Sequence, residues 1–519
     1  TSSMETSISS WTKFNCITIP KNLKFLVFGC GGGRDKAKRP LASPRIRSSP
    51  SPNPNHYITA WIALDPTSYY VTTCLWFTWN RFWLWMKSMV LNILKFVKVL
   101  TYKLSLAHQR LLHLHGNTMV GLVSLPDRFS RANCLGVDVA PLFETISDLS
   151  IAPKVMDVVY SDPTYRNHLR TRGDKQTIML GFSDGTKDGG YLMANWSIFR
   201  AKEELTDVSR KHGVKALFFD GRGGPPARGG GNTHQFYASL GDSIESDEIQ
   251  ITVQGQTISS NFGTINSCQY NLEQLLSSGI ANRVFNNSSS EFSDEDRQTM
   301  VELAETSYQA YQDFKSHPKF LPYLEHMSTL KFYAKTNIGS RPSKRGKSKS
   351  LDFSALRAIP FVGSWSQLKQ NVPGFYGVGL SLEKFEESGR FDQVMSLYEN
   401  NAFFRTLVYN SMMSLTKSFF KLTAYMQNDP EYGPFWDQIH DEYQRAKKYL
   451  LKLTGQSELM ENEPAGKTSI MMREKIVLPL LTIQQYALGK LHQKGSDEVL
   501  EKMVTRSLFG NINASRNSA

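Results

Sequence analysis

Eleven consecutive residues, Gly221-Arg222-Gly223-Gly224-Pro225-Pro226-Ala227-Arg228-Gly229-Gly230-Gly231, limit what this chain can build more than any other stretch. Six are Gly and the only charges are two Arg. With no apolar side chain larger than Pro, the segment cannot be a packed core element. Glycine lets the main chain approach a ligand or another strand of backbone closely, and each Arg presents a rigid fork of donors that matches phosphate or carboxylate oxygens. The segment directly follows Lys215-Ala-Leu-Phe-Phe219, an apolar run that reads as a buried strand. A single such loop at a strand end predicts an oxyanion site. Arginine–glycine tracts that bind RNA repeat, whereas this one occurs once.

Charge and composition divide the chain near residue 136. Net charge is +13 and pI is near 9.3, values that ordinarily suggest nucleic acid or a membrane surface. Residues 1–135, however, carry 17 Lys and Arg against only Glu5, Asp35, Asp65 and Asp127, and the remainder has 43 basic and 43 acidic side chains. The body is neutral, so its function is not expected to be polyanion binding. Four of the five Cys, at 16, 30, 74 and 134, lie in the head and show no CxxC spacing. Cys268 is alone in the body, which fits a reducing, cytoplasmic compartment. The head also holds a Ser/Pro/Arg stretch from Arg39 to Asn55 that predicts loop or disorder. Its Tyr69–Leu100 segment is aromatic and apolar, but Arg81, Lys87, Lys95 and Lys98 interrupt it, which argues against a membrane span. The acid-poor, Ser-rich start shares features with organelle transit peptides. The sharp break predicts a poorly ordered head, 1–135, of sequence unrelated to the body, in a chain that begins with Thr1 and not Met.

From 136 onward, short apolar runs end in polar, Gly-containing turns: Thr177–Leu180, Ala216–Phe219, Ile249–Val253 and Ala358–Val362. Helical patterns lie between and after them. Ser293-Asp-Glu-Asp296 caps a helix with Met300, Ala304, Tyr308, Tyr311 and Phe314 on one face. Trp436, Ile439, Tyr443, Ala446 and Leu450 form a second such face, closed by Gly455. Beyond residue 380 only helices are predicted. The fold class is α/β, predominantly α-helical, with a partial TIM-type (β/α) barrel embedded in a large helical body. Two acids follow strands. Glu144 ends Pro141-Leu-Phe, and Asp184 lies with Lys187 and Asp188 on a predicted tight turn, Gly181–Gly190. Carboxylates from neighbouring strand ends, opposite an anion cradle, suit Mg²⁺ or Mn²⁺. A basic run, Gly339–Lys347, places Arg341 where it could serve the same anion.

Gly181-Phe-Ser-Asp-Gly-Thr-Lys-Asp-Gly-Gly190, the Arg222/Arg228 loop, Ser340-Arg-Pro-Ser-Lys-Arg345, Leu356-Arg-Ala-Ile-Pro-Phe-Val-Gly-Ser-Trp365 and the terminal Arg516-Asn-Ser-Ala519 together resemble phosphoenolpyruvate carboxylases. The resemblance runs from about 136 to 519. It implies an enzyme that makes oxaloacetate and phosphate from phosphoenolpyruvate and bicarbonate, feeding the tricarboxylic acid cycle, with Mg²⁺ or Mn²⁺ as cofactor. It implies a homotetramer inhibited by a dicarboxylate, aspartate or malate. By motif, Glu144 and Asp184 match the metal ligands and Arg222 and Arg341 the phosphate-binding arginines. Lys187 matches the active-site Lys, and Arg228 the Arg of a mobile loop. Lys417, Arg473 and Asn517 match the inhibitor site that captures Arg228.

The sequence departs from the family pattern in three places. Gly185 stands where Ser is common, Asp220 where His is common before the first loop Arg, and Val253-Gln-Gly-Gln256 where the pattern is Glu-Gln-Gly-Glu. The family's general base, a His in Ala-His-Pro-Thr-Glu, has no counterpart at His56, His108, His113 or His115. The competing reading is a non-enzymatic RNA-binding or scaffold protein that uses the Arg/Gly loop.

Overall fold

The computed structural model describes the backbone of 24–30 and residues 138–254, 258, 261–284, 292–333, 352–353 and 356–515. The chain divides into two compact units, Thr1–Gly33 with Gly116–Val120 and Asp138–Ala519, and Arg34–His115 with Gly121–Val137. The described residues all belong to the first. The expectations for Arg39–Asn55 and Tyr69–Leu100 fall outside them.

Five parallel strands form one sheet in the order β1-β5-β4-β3-β2. They are β1 (Lys24–Cys30), β2 (Leu142–Phe143), β3 (Lys175–Leu180), β4 (Lys215–Asp220) and β5 (Glu248–Gln254). β1 is a piece of the head, paired with β5 from Lys24 opposite Glu248 to Cys30 opposite Gln254. From β2 to β5 each strand neighbours the next in sequence. The connections are helical: α1 (Ile146–Ser161) and α2 (Pro163–Thr171), then α3 (Phe182–Gly189) and α4 (Tyr191–Lys211), then α5 (Thr233–Ala238). A parallel sheet covered on its faces buries both sides of its strands, which is why β4 reads as a continuous apolar run.

The rest is helical, so the chain is a predominantly α-helical α/β protein with a small parallel sheet. α6 (Ile265–Val284), α7 (Asp294–Ser316), α8 (Phe320–Met327), α9 (Leu330–Tyr333) and α10 (Ala358–Gln367) follow the sheet. α11 (Val378–Glu387), α12 (Phe391–Asn400), α13 (Ala402–Thr416), α14 (Gly433–Thr454), α15 (Pro464–Lys494) and α16 (Glu498–Ser515) complete it. No described helix is long and apolar enough to cross a membrane.

Local chemistry sets the helix ends. Thr145 and Asp148 form a reciprocal capping box at α1, and the Ser293 hydroxyl accepts from Asp296 N at α7. Gly455, at φ 64°, ends α14 in the left-handed conformation. α11 has no side-chain cap of its own. The buried Glu442 of α14 supplies one, accepting from the amides of Gly377, Gly379 and Leu380 at 2.9, 3.0 and 3.3 Å. Trp365 of α10 sits fully buried in an aromatic core with Phe314, Phe320, Tyr323, Phe361 and Phe435.

Two local expectations fail. Ala358–Val362, read as a strand, is the first half of α10. Ala358, Pro360, Phe361 and Val362 are all buried, and a short apolar run carries no period that separates a buried strand from a buried helix. Pro360 sits in the first helical turn, where its missing N–H costs no intrahelical bond. Gly181–Gly190, read as a tight turn, is the short helix α3 framed by those two glycines.

Candidate active site

The register of β2 and β3 fixes the acidic side of the site. Phe143 pairs with Leu180, so Glu144 and Gly181 leave the sheet together, and Gly181 N donates to Phe143 O at 2.9 Å. A Cβ on Gly181 would lie 2.9 Å from Glu144 Cγ, so this position must be Gly for the carboxylate stem to pass. Asp184 follows in the first turn of α3, half-buried like Glu144. Among the described residues no hydrogen bond reaches the Asp184 carboxylate, and no group of three or more His, Cys, Asp or Glu is arranged to hold a metal. Two oxygen donors at adjacent strand ends are what this edge offers a cation. Asp188 is committed elsewhere, accepting from Ile146 N at 3.0 Å at the start of α1. Lys187, 8% exposed, donates to Phe353 O at 2.8 Å and lies 4.5 Å from that ring's centroid.

The Arg/Gly loop is folded tightly on itself. Arg222 Nε donates to Gly229 O at 2.8 Å and Nη2 to Gly230 O at 3.2 Å, and its guanidinium carbon lies 4.0 Å from the Phe236 centroid. Gly223 N donates to Arg228 O at 2.9 Å and Gly231 N to Gly224 O at 3.1 Å. The glycines serve close approach: a Cβ on Gly230 would be 2.2 Å from Gly224 O, and one on Gly231 2.1 Å from Asn410 Oδ1. Arg222 and Arg228 are only 4% and 3% exposed. A loop built to coat RNA displays its arginines, so this burial leaves the RNA-binding alternative without support.

The two arginines meet different neighbours. Arg228 Nε donates to Ser183 Oγ at 3.2 Å. Burial pushes its guanidinium down to about 10, while the charges of Asp184 and Tyr333 act in the other direction. Arg222 instead lines a cavity of about 610 Å³ together with Lys417, Arg473, Lys369 and Glu474. Burial pushes Lys417 down to about 8, aided by the charges of Arg473 and Lys369 and opposed by Glu474. Lys369 is ion-paired with Glu474 at 2.6 Å. Arg228 thus lies beside Asp184, while Arg222 shares a cavity with Lys417 and Arg473. Arg341 and Asn517 lie outside the described residues. Lys369, Glu474 and the buried Lys202 were not singled out by sequence reasoning, because nothing local marks a residue whose partner is distant in the chain.

A family model for phosphoenolpyruvate carboxylase matches residues 120–515. The chain belongs to the phosphoenolpyruvate carboxylase family. The match begins before residue 136, where composition changes. Similar curated relatives carry the same name. The protein of Corynebacterium diphtheriae is 34% identical over 394 residues, 74% of this chain and 43% of its own. That of Azorhizobium caulinodans is 37% identical over 391 residues, 73% of this chain and 41% of its own. That of Rhodothermus marinus is 32% identical over 386 residues. The chain spans less than half the length of these relatives.

The loop's dependence on close backbone approach is testable. Gly230→Ala places its Cβ against the Gly224 carbonyl, and the Gly223–Gly231 segment should open. Hydrogen exchange at the Gly229–Gly231 amides is expected to speed by about 10-fold or more, as for a local strain of about 1–3 kcal/mol. Unchanged protection would show that the loop tolerates the extra carbon.

Proposed function

We propose that this chain carries the metal- and phosphate-binding part of an enzyme that forms oxaloacetate and phosphate from phosphoenolpyruvate and bicarbonate. What supports the reading is that Glu144 leaves β2 beside Gly181, three residues before Asp184, with Arg228 beside Asp184, in a chain of this family. We read β2 to β5 as an arc of a (β/α) barrel, since sequential parallel strands with functional residues at their C-terminal ends are how that fold is organised. Its single body thiol, Cys268, fits a cytoplasmic setting.

In this reaction a bicarbonate oxygen attacks the phosphorus of phosphoenolpyruvate, and the P–O bond to the enol breaks, leaving carboxyphosphate and the pyruvate enolate. Carboxyphosphate releases phosphate and CO₂, and the enolate carbon adds to CO₂. Glu144 and Asp184, both oxygen donors, would hold Mg²⁺ or Mn²⁺, which when bound would supply Lewis-acid stabilisation of negative charge. The chain's own cations do the rest. Arg222 and Arg341 bind and neutralise the migrating phosphate, Lys187 balances charge at the acidic edge, and Arg228 on its Gly-hinged loop closes the site against water. Water must be excluded because a protonated enolate is lost as pyruvate.

Phosphoenolpyruvate binding tests this directly. Calorimetry with Mg²⁺ is expected to show binding that an Arg222→Ala variant weakens about 10-fold or more, as for loss of a charge-assisted hydrogen bond. The chain contains no His-Pro-Thr, and loss of a general base typically costs about 10²–10⁴ in rate. A coupled dehydrogenase assay on the 519-residue chain is therefore expected to show little oxaloacetate despite that binding. Absence of any Mg²⁺-dependent binding would overturn the reading.

Lys417 and Arg473, which line the same cavity as Arg222, are the proposed dicarboxylate inhibitor site. A bound dianion favours the charged form of Lys417, whose proton affinity is held down to about 8 in the free protein. Below that pH the lysine is charged with or without ligand and affinity is flat. Above it, binding must take up a proton, so aspartate affinity should fall by up to about 10-fold per pH unit. Calorimetry at about pH 7 and about pH 9 checks this, and equal affinities at both would contradict it. The slope should vanish in Lys417→Met.

A further inference from the structure

An ion pair is buried beneath the loop and has no role in the chemistry above. Lys202, in the middle of α4, and Asp220, the last residue of β4, are 1% and 0% exposed, with Lys202 Nζ 2.7 Å from Asp220 Oδ2. The same oxygen accepts the Tyr237 hydroxyl at 2.7 Å, while Oδ1 has no hydrogen-bond partner among the described residues. The rings of Phe182, Phe218, Phe236 and Tyr237 lie around Lys202 Nζ, with centroids from 5.3 to 5.9 Å away. Three of these rings also face Arg222, with Phe236 at 4.0 Å, Tyr237 at 5.6 Å and Phe182 at 5.7 Å. Lys202 and Arg222 therefore share one aromatic wall and one nearby anion.

Depth of burial makes stability a poor explanation for the pair. Taking two ions out of water is costly, and replacing such a pair with well-packed apolar groups is often neutral or stabilising. Position gives a better one. Asp220 lies two residues before Arg222, and an arginine–carboxylate pair is a strong, charge-assisted contact for which its carboxylate could compete. Here it does not: Arg222 spends its donors on Gly229 O and Gly230 O. Lys202 and Tyr237 together hold the Asp220 carboxylate by Oδ2. Burial pulls Lys202 towards neutrality, Asp220 opposes that, and the Arg222 charge adds to it.

We propose that Lys202, with Tyr237, is a positioning residue that keeps Asp220 from capturing Arg222, leaving the Arg222 guanidinium latched to the loop and presented to a phosphate in the adjoining cavity. The proposal rests on the functional reading above for the identity of the ligand, but not for the latch itself. Loss of the Lys202 charge turns Asp220 into a partner for Arg222, which then leaves the Gly229 and Gly230 carbonyls. Removing the Asp220 charge as well frees Arg222 again.

The test is a two-variant cycle on the full chain with two readouts. Lys202→Met is expected to weaken phosphoenolpyruvate binding in Mg²⁺ about 10-fold and to speed hydrogen exchange at Gly229–Gly231. The Lys202→Met, Asp220→Asn double variant is expected to recover both to within about 3-fold of the starting chain. An ion pair that merely supports the fold also recovers in the double variant, so Asp220→Asn alone separates the two: it leaves Lys202 buried without its counter-charge and should speed exchange along α4 and β4, whereas the latch keeps binding and Gly229–Gly231 exchange within about 3-fold of the starting chain. Lys202→Gln, which keeps a hydrogen bond to Asp220 without the charge, runs in parallel and should show the same losses; it carries the test if Lys202→Met unfolds. Unchanged binding and exchange in the Lys202 single variants, or no recovery in a double variant that melts cooperatively, would overturn the proposal. Exchange that follows the predicted pattern in a chain with no affinity for phosphoenolpyruvate would uphold the latch and reject the functional reading.

Discussion

The Arg222 guanidinium donating to the carbonyls of Gly229 and Gly230 closes an eleven-residue, glycine-rich loop on itself, and the rest of the site is arranged around that closure. Without it the segment has almost no side chains with which to pack. With it, the backbone of Gly223 and Gly224 lies against Gly230 at a separation no Cβ allows. The closed loop then meets two sets of neighbours. Arg228 is pressed towards Ser183 and Asp184, and Arg222 towards the cavity of Lys417, Arg473 and Lys369. Acidic and basic groups are thereby set around one short stretch of main chain.

The arrangement has an electrostatic logic. The body has equal numbers of acids and bases, so its cations matter through placement and not through excess. Lys417, Arg473 and Lys369 line that cavity with Glu463 and Glu474, and burial, aided by the Arg473 and Lys369 charges and opposed by Glu474, holds Lys417 down to about 8. A dianion entering there relieves the repulsion. At the acidic edge, Glu144 leaves the sheet beside Gly181, three residues before Asp184 in α3, a placement that depends on the two paired strands ending together.

The sheet was largely legible in the sequence because parallel strands buried on both faces read as apolar runs, and β3, β4 and β5 fall where Thr177–Leu180, Ala216–Phe219 and Ile249–Val253 are apolar. The same logic failed at Ala358–Val362, since a helix buried all round gives the same signal. The candidate residues were legible as types: acids after strands, arginines among glycines. Which arginine meets which neighbours was not, because it depends on the three-dimensional path of a loop whose glycines impose no direction. Lys202 and Asp220 are eighteen residues apart on a helix and a strand, and no local pattern announces their pairing. Their presence beside Arg222 shows how much of a site's geometry is set by residues that never reach its surface.

The central claim, that Glu144 and Asp184 form one cation site at adjacent strand ends, is tested most directly by titrating the chain with Mn²⁺ in the presence of phosphoenolpyruvate and following free Mn²⁺ by electron paramagnetic resonance. One site per chain is expected. Glu144→Gln and Asp184→Asn should each weaken it about 10-fold or more, as for loss of a ligand or its support. Asp188→Asn, whose carboxylate caps α1, should leave it within about 2-fold. Mn²⁺ bound equally well by the Glu144 and Asp184 variants would contradict the account.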